Sequence, residues 1–296
     1  MRIFLTGGSG YLGGALIERF LASGAKVSAL ARSEAARERV AARGAEPLAG
    51  SLADAGTLRA AAAEADAVVH AAVDFTDPAM RAVEEPALAA LLAGLAPGRP
   101  FVYTSTGLVY PDAEARAVKA SVGEDTPVTP ERSPQPYKVL GERQVLAAEG
   151  PAVTVVRAAL VYGRGGSALL RGMIAGARER GTVPYVGDGG NLWSSVHVDD
   201  LANLYVAALA RAESGLVVNA ASREASSMRE IAAAVADLTG ARALSLTPEQ
   251  AARALGPLAG VLTRETVLDP SRAERTLGWR AVRPPLLAEL RAGSYA

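Results

Sequence analysis

The 296-residue chain has no cysteine, which removes disulfides, thiolate nucleophiles and cysteine-bound metals together. It has only two histidines, His70 and His197, and neither shows the paired ligand spacing of a zinc site. Half of its residues are hydrophobic, yet no apolar run approaches the roughly 20 residues that cross a bilayer. Met1-Arg2 is followed by three apolar residues before Thr6-Gly7-Gly8, so no signal-peptide core is expected. Thirty-one basic side chains balance 31 acidic ones, and no global field favours nucleic acid or an anionic membrane. A serine-hydrolase elbow is missing too, because Gly7-Gly8-Ser9-Gly10-Tyr11 lacks the second glycine at the required spacing. The expectation is a cytoplasmic protein acting on a small molecule.

What is present is an alternation of strand and helix signals. Strands are expected at Arg2–Thr6, Lys26–Leu30, Ala45–Ala49, Ala67–His70, Pro100–Ser105 and Ala152–Arg157. Between them fall helices such as Tyr11–Ser23, whose Leu12, Leu16, Phe20 and Leu21 share one face. This is the pattern of an α/β doubly wound (Rossmann) parallel sheet with helices on both faces. A helix at Asp199–Arg211 and a strand at Leu216–Asn219 are expected to return to that sheet. Residues 1–160, joined by 196–221, then form a dinucleotide-binding domain, and 161–195 with 222–296 a smaller substrate-binding cap. The irregular stretch Pro111–Pro136 has the composition of a lid or binding loop.

Thr6-Gly7-Gly8-Ser9-Gly10-Tyr11-Leu12-Gly13 follows a strand and opens a helix. In that frame Gly7 permits the tight turn, Gly10 admits a pyrophosphate, and Gly13 lets the helix pack closely on the sheet. The amides that open the helix, from Tyr11 and Leu12 on, are donors for the phosphates. The second strand ends Ala31-Arg32-Ser33, without the carboxylate that usually holds an NAD ribose. Arg32 and Ser33 suit a 2′-phosphate instead, which makes NADP the expected cofactor, with NAD as the alternative.

These residues resemble the extended short-chain dehydrogenases/reductases of the NAD-dependent epimerase/dehydratase group. The resemblance continues in His70-Ala71-Ala72, Tyr103-Thr104-Ser105-Thr106, Val161-Tyr162-Gly163, Val196-His197-Val198-Asp199-Asp200-Leu201 and Leu277-Gly278-Trp279, in family order. It implies an enzyme acting on a carbonyl or sugar-nucleotide substrate, and a homodimer. It also adds Ser51, Leu52, His70, Ala71, Ala72 and Thr104 to the cofactor-binding set. The family's chemistry uses an upstream serine or threonine, a tyrosine, and a lysine four residues later. Thr106 matches the first, with Ser105 as second choice. The tyrosine phenol, with an ordinary pKa of about 10, moves the proton once a lysine has made it more acidic. The lysine also holds the nicotinamide ribose, a role open to Lys138 with another group as the acid.

The sequence departs from that pattern at Pro134-Gln135-Pro136-Tyr137-Lys138-Val139-Leu140-Gly141-Glu142. If Tyr137 is the family tyrosine, the lysine position holds Gly141. If Lys138 is the family lysine, the tyrosine position holds Pro134 and Glu142 falls where a glutamate is common. Tyr137 and Lys138, adjacent in a helix, point about 100 degrees apart. The candidate catalytic set is therefore Thr106, Tyr137 and Lys138, with Tyr103 and Tyr110 as substitute acids. His70 is expected to be structural, and Asp199 or Asp200 to cap the helix after His197. Trp193, Leu192 and Tyr185 are candidates for a pocket wall, Arg164 and Arg171 for an anion contact. The expected function is an NADP(H)-dependent oxidoreductase on a small or medium carbonyl or alcohol. The alternatives are a nucleotide-sugar epimerase or dehydratase, and a cofactor-sensing protein without turnover.

Overall fold

The computed structural model describes residues 1–73, 80–112 and 121–296. Strands β1 (Arg2–Thr6), β2 (Lys26–Ala31), β3 (Glu46–Ala49), β4 (Ala67–His70), β5 (Pro100–Thr106) and β6 (Ala152–Ala158) alternate with helices. These are α1 (Tyr11–Ala22), α2 (Glu34–Ala41), α3 (Ala55–Ala63), α4 (Met80–Gly94) and α5 (Pro136–Leu146). Then follow β7 (Leu160–Tyr162), α6 (Ala168–Arg180), β8 (Thr182–Val186), β9 (Leu192–His197), α7 (Val198–Arg211) and β10 (Leu216–Ala220). The remaining elements are β11 (Ala225–Ser227), α8 (Met228–Thr239), β12 (Arg242–Leu246), α9 (Pro248–Leu255), α10 (Pro257–Leu262), α11 (Ser271–Leu277) and α12 (Leu286–Ala292).

Seven strands form one sheet in the order β10-β6-β5-β4-β1-β2-β3, and every pair in it is parallel. Parallel strands buried on both faces read as unbroken apolar runs, and β4 and β6 are buried along their whole length. One face packs on Leu16, Ile17 and Phe20 of α1 with Leu201, Leu204 and Tyr205 of α7. The other packs on Leu58 of α3, Leu88 and Leu91 of α4, and Val145 of α5. The order in which successive strands are added reverses between β1 and β4, where Thr6 pairs in parallel with His70. Open α/β sheets take their ligands at that crevice, beyond the carboxyl ends of the strands.

Two smaller sheets, β11-β9-β7 and β12-β8, share an apolar cluster with α6, α8 and α12. In the stretch after β5, α5 begins at Pro136, with proline tolerated at its first position. Val122 donates its N–H to Val267 O at 2.7 Å and accepts from Asp269 N at 2.9 Å, tying that stretch to 267–269. Among the described residues no helix is long and apolar enough to cross a membrane.

The cap of α7 differs from expectation. His197 itself is the N-cap, its Nδ1 accepting the Asp199 N–H at 3.1 Å. Burial, only partly opposed by the charge of Asp199, pulls its pKa below the usual histidine value and keeps it a neutral acceptor. Asp200 has another task. Its buried Oδ2 accepts the Val282 and Arg283 amides at 2.9 and 2.8 Å, while its backbone oxygen accepts Trp279 Nε1 at 2.7 Å. Segment 279–283 is thereby fastened to α7. Asp200→Ala strands two amides, and urea denaturation is expected to show a loss of about 2–3 kcal/mol; an unchanged midpoint would contradict this role.

Candidate active site

The glycine-rich turn is shaped by what a side chain would hit. Gly7 has a φ of +79°, and a Cβ there would lie 2.7 Å from the backbone of Ala71 and Ala72. A Cβ on Gly13 would run into the Gly7 carbonyl. Gly10 donates its N–H back to Gly7 O at 3.0 Å and opens α1 without a side-chain cap. Ser33, Asp54, His197, Ser227 and Thr247 supply such caps to other helices. The first turn of α1 carries no acidic residue, so its amides and positive end are open to an anion. These residues fit a dinucleotide pyrophosphate. Thr6 Oγ1 secures the neighbouring loop, accepting Ala72 N at 3.3 Å and lying 3.0 Å from His70 Nδ1. Tyr11 reaches across to donate its hydroxyl to Gly163 O at 2.7 Å.

The same edge collects the other expected cofactor residues. Arg32, exposed, and Ser33, whose oxygen caps α2 through Ala36 N at 3.2 Å, follow β2. Ser51 accepts Ala53 N at 3.3 Å, and Leu52 packs on the cluster around Leu30 and Leu58. Thr104 Oγ1 lies 2.7 Å from the Tyr205 hydroxyl. Thr106, at the end of β5, accepts Leu108 N at 3.2 Å and keeps its own hydroxyl proton to donate. Ser105 is closed as an alternative, because its buried hydroxyl donates to Glu142.

Packing treats the two candidate positions in α5 differently. A Cβ at Gly141 would strike the Tyr103 hydroxyl, so a side chain there would force that ring to shift. Lys138 and Glu142, one turn apart on the same face, are instead the buried pair directed at the sheet. In this register the tyrosine position is Pro134, in the bend before the helix. Tyr137 is half-buried with its hydroxyl out of solvent, and the Lys138 ammonium sits over its ring, 5.5 Å from the centroid.

Each of these α5 charges has an opposite partner. Lys138 Nζ donates to Glu84 Oε1 at 2.6 Å and to Thr104 O at 3.2 Å. Lys138 and Glu84 are each 2% exposed. Glu84 also accepts the Tyr103 hydroxyl at 3.1 Å and lies 3.5 Å from His70 Nε2, whose ring stacks on Tyr103. Burial raises the Glu84 carboxyl, but His70 and the Lys138 charge outweigh it and hold it below the usual carboxylate value. Burial lowers Lys138, with Glu84 opposing. It also lowers His70, which stays neutral. One turn on, Arg157 grips Glu142 through Nε at 3.0 Å and Nη2 at 2.7 Å. Its Nη1 donates to the Tyr110 hydroxyl at 2.9 Å, which in turn donates to Asn219 Oδ1 at 2.8 Å.

Several expectations are corrected by these contacts. Tyr103 and Tyr110, named as substitute acids, have their hydroxyls engaged within the two clusters, on Glu84 and on Arg157 and Asn219. His70 meets the Thr6 side chain through Nδ1, and its Nε2 lies near the Glu84 carboxylate without a hydrogen bond. Trp193 is core, its Nε1 donating to Arg264 O at 2.7 Å. Arg164 is held by Glu18 and by Asp199 at 2.7 Å, so its guanidinium is spent. Glu84 and Arg157 are the residues sequence reasoning missed. Glu84 sits beside Glu85 in a helix where a carboxylate pair reads as a solvated face, and nothing local marks one of the two as buried.

A doubly wound sheet with a glycine cradle at its switch point and a buried lysine bonded to the backbone near the end of β5 defines a dinucleotide-dependent α/β enzyme. The chain belongs to the NAD dependent epimerase/dehydratase family, whose profile matches residues 3–221, and is an extended short-chain oxidoreductase, epimerase or dehydratase. It is similar to a 4-hydroxy-2-methyl-3-oxo-4-farnesyl-3,4-dihydroquinoline-1-oxide ketoreductase of Stigmatella aurantiaca, 30% identical over 94% of this chain and 92% of that one. It is also similar to a dTDP-4-dehydrorhamnose reductase of Streptomyces griseus, 29% identical over 95% and 91%. Among solved structures, a dTDP-glucose 4,6-dehydratase of Streptomyces venezuelae with NAD and TYD bound shares the fold. It has a TM-score of 0.79 at 23% identity, over 99% of this chain and 96% of that one.

Alanine at an ordinary helical glycine stabilises by about 0.5–1 kcal/mol. Gly141→Ala is expected to do the reverse, destabilising by about 1–3 kcal/mol through overpacking on Tyr103. Thermal or urea unfolding reads the sign, and stabilisation would contradict the register.

Proposed function

We propose that this chain is an NADP(H)-dependent reductase of a small or medium carbonyl compound. The observation that carries the cofactor preference is the end of β2. Arg32 makes no hydrogen bond or ion pair with the described residues, Ser33 stands next to it, and Glu34, the nearest carboxylate on the helix, is paired with Arg37. A guanidinium and a hydroxyl there suit a 2′-phosphate, where a carboxylate would suit a bare ribose.

Gly7, Gly10, Gly13 and the amides of Tyr11 and Leu12 would hold the pyrophosphate. Ser51, Leu52, His70, Ala71, Ala72 and Thr104 would line the path toward the nicotinamide. When bound, the cofactor supplies hydride to the substrate carbon or takes it back. Thr106 would donate its hydroxyl proton in a hydrogen bond to the substrate oxygen and fix its orientation. Residues 1–160 with 196–221 would carry the cofactor, and 161–195 with 222–296 the substrate side. The ketoreductase and the sugar-nucleotide reductase among the relatives support a carbonyl substrate. Pro134, in place of the proton-donating tyrosine, favours a second reading, cofactor sensing without turnover. Consumption of NADPH against a carbonyl separates the two.

Arg32→Ala removes a charge-assisted contact, so NADPH affinity measured by fluorescence titration should fall about 10- to 100-fold. NADH affinity should change by less than about threefold. Equal losses for both would overturn the 2′-phosphate assignment.

A further inference from the structure

Resting on the reductase reading, we propose that Lys138 is the proton donor of the reaction, delivering an ammonium proton to the substrate oxygen, and that Glu84 is the residue that positions it. The phenol that resemblance leads one to expect is replaced by Pro134. Tyr103 and Tyr110 are bound within the buried clusters, and the Tyr137 hydroxyl is buried, with the ammonium over the ring face. Lys138 Nζ sits at the carboxyl end of β5, on the carbonyl of Thr104, two residues before the hydroxyl of Thr106. Two of its three N–H groups are taken, by Glu84 and by Thr104 O, and the third has no acceptor among the described residues.

Residue type adds an independent argument. Of the 31 basic side chains only Lys26, Lys119 and Lys138 are lysines. One turn along α5 the buried pair with Glu142 is made by an arginine, in the bidentate geometry suited to permanent ion pairing. An arginine cannot give up its proton in a protein, whereas a lysine can. Of the two buried cations, the one on the Thr104 carbonyl is the one able to release a proton.

The charged and titratable groups facing Lys138 are Glu84 of α4, His70 of β4, Tyr103 of β5, and Tyr137 and Glu142 of its own helix, Glu142 being neutralised by Arg157 of β6. Burial makes the ammonium a stronger acid than a free lysine, while Glu84 keeps it charged until a substrate arrives. In the transfer one N–H bond of Lys138 breaks and one O–H bond forms on the substrate, the electron pair remaining on Nζ. A reduced nicotinamide, when bound, would supply the hydride for the substrate carbon and would itself be oxidised. The amine then recovers its proton from water, favoured by the Glu84 carboxylate.

Sign follows from the pair. Reduction needs the ammonium, so it is lost as pH rises through the Lys138 pKa. Glu84 raises that pKa, so Glu84→Gln must move the loss to lower pH. Two readouts test this on the full chain. With lysine ¹³C-labelled at Cε, the NMR signal that disappears in Lys138→Met should titrate below that of exposed Lys26, and lower still in Glu84→Gln. With NADPH and a panel of aldehydes and β-keto esters, Lys138→Met/Glu84→Gln, which leaves no unpaired buried charge, should lose about 100-fold or more in kcat. The alkaline limb of kcat/KM in Glu84→Gln should move with the NMR titration. Co-titration of Lys138 with Lys26 would overturn the proposal. So would turnover kept within about threefold in the double variant, with Tyr137→Phe inactive. If the wild-type chain binds NADPH but reduces no carbonyl, the reductase reading falls and the proposal with it. That outcome is distinct because in the others the wild type turns over.

Discussion

The contact on which the rest of the site depends is the ion pair of Lys138 and Glu84, 2.6 Å apart and almost wholly out of water. Two charges in such a place are tolerated only when paired at close range with supporting hydrogen bonds, and removing one partner of a buried pair costs about 3–5 kcal/mol. Glu84 meets that demand with Lys138 and the Tyr103 hydroxyl, with His70 behind. The pair joins α4 to α5 across the ends of β4 and β5, and so sets where the cleft edge of α5 lies. Gly141 is a consequence: Tyr103 reaches Glu84 through the space a side chain at 141 would fill.

The second pair, Glu142 with Arg157, extends the same logic one turn further from the helix start. It reaches through Tyr110 to Asn219 of β10, whose amide group donates to Val122 O at 2.9 Å. A chain of buried polar groups thus runs from α5 through the sheet edge to the irregular segment after β5. Networks of this kind rigidify when every member is satisfied, and here they hold the strand ends that flank Thr106. The cradle on the other side of the switch point is set by backbone proximity, Gly7 against Ala71-Ala72 and Gly13 against Gly7.

Most of the sheet was legible in the sequence because parallel strands are apolar throughout and the linking helices carry their own stops. The glycine motif was legible for a related reason, since each glycine answers a local steric demand that spacing alone expresses. The register of α5 was not. Choosing between Gly141 and Lys138 as the family position requires knowing that Tyr103 points at the helix, which is a tertiary fact. Glu84 was invisible for the same reason: Glu84-Glu85 reads as a solvated face until Lys138 and His70 are brought beside one of them. His197 as a cap was missed because histidine is a rare N-cap, while the aspartates after it are common ones.

On the proposal made above, this family site moves its proton with a lysine held by a glutamate in place of a tyrosine. A crystal structure with NADP⁺ and an unreactive carbonyl analogue bound tests it most directly. The account predicts Lys138 Nζ still on Glu84, with its third N–H on the analogue oxygen beside the Thr106 hydroxyl. A Tyr137 hydroxyl on that oxygen, with Lys138 directed elsewhere, would contradict it.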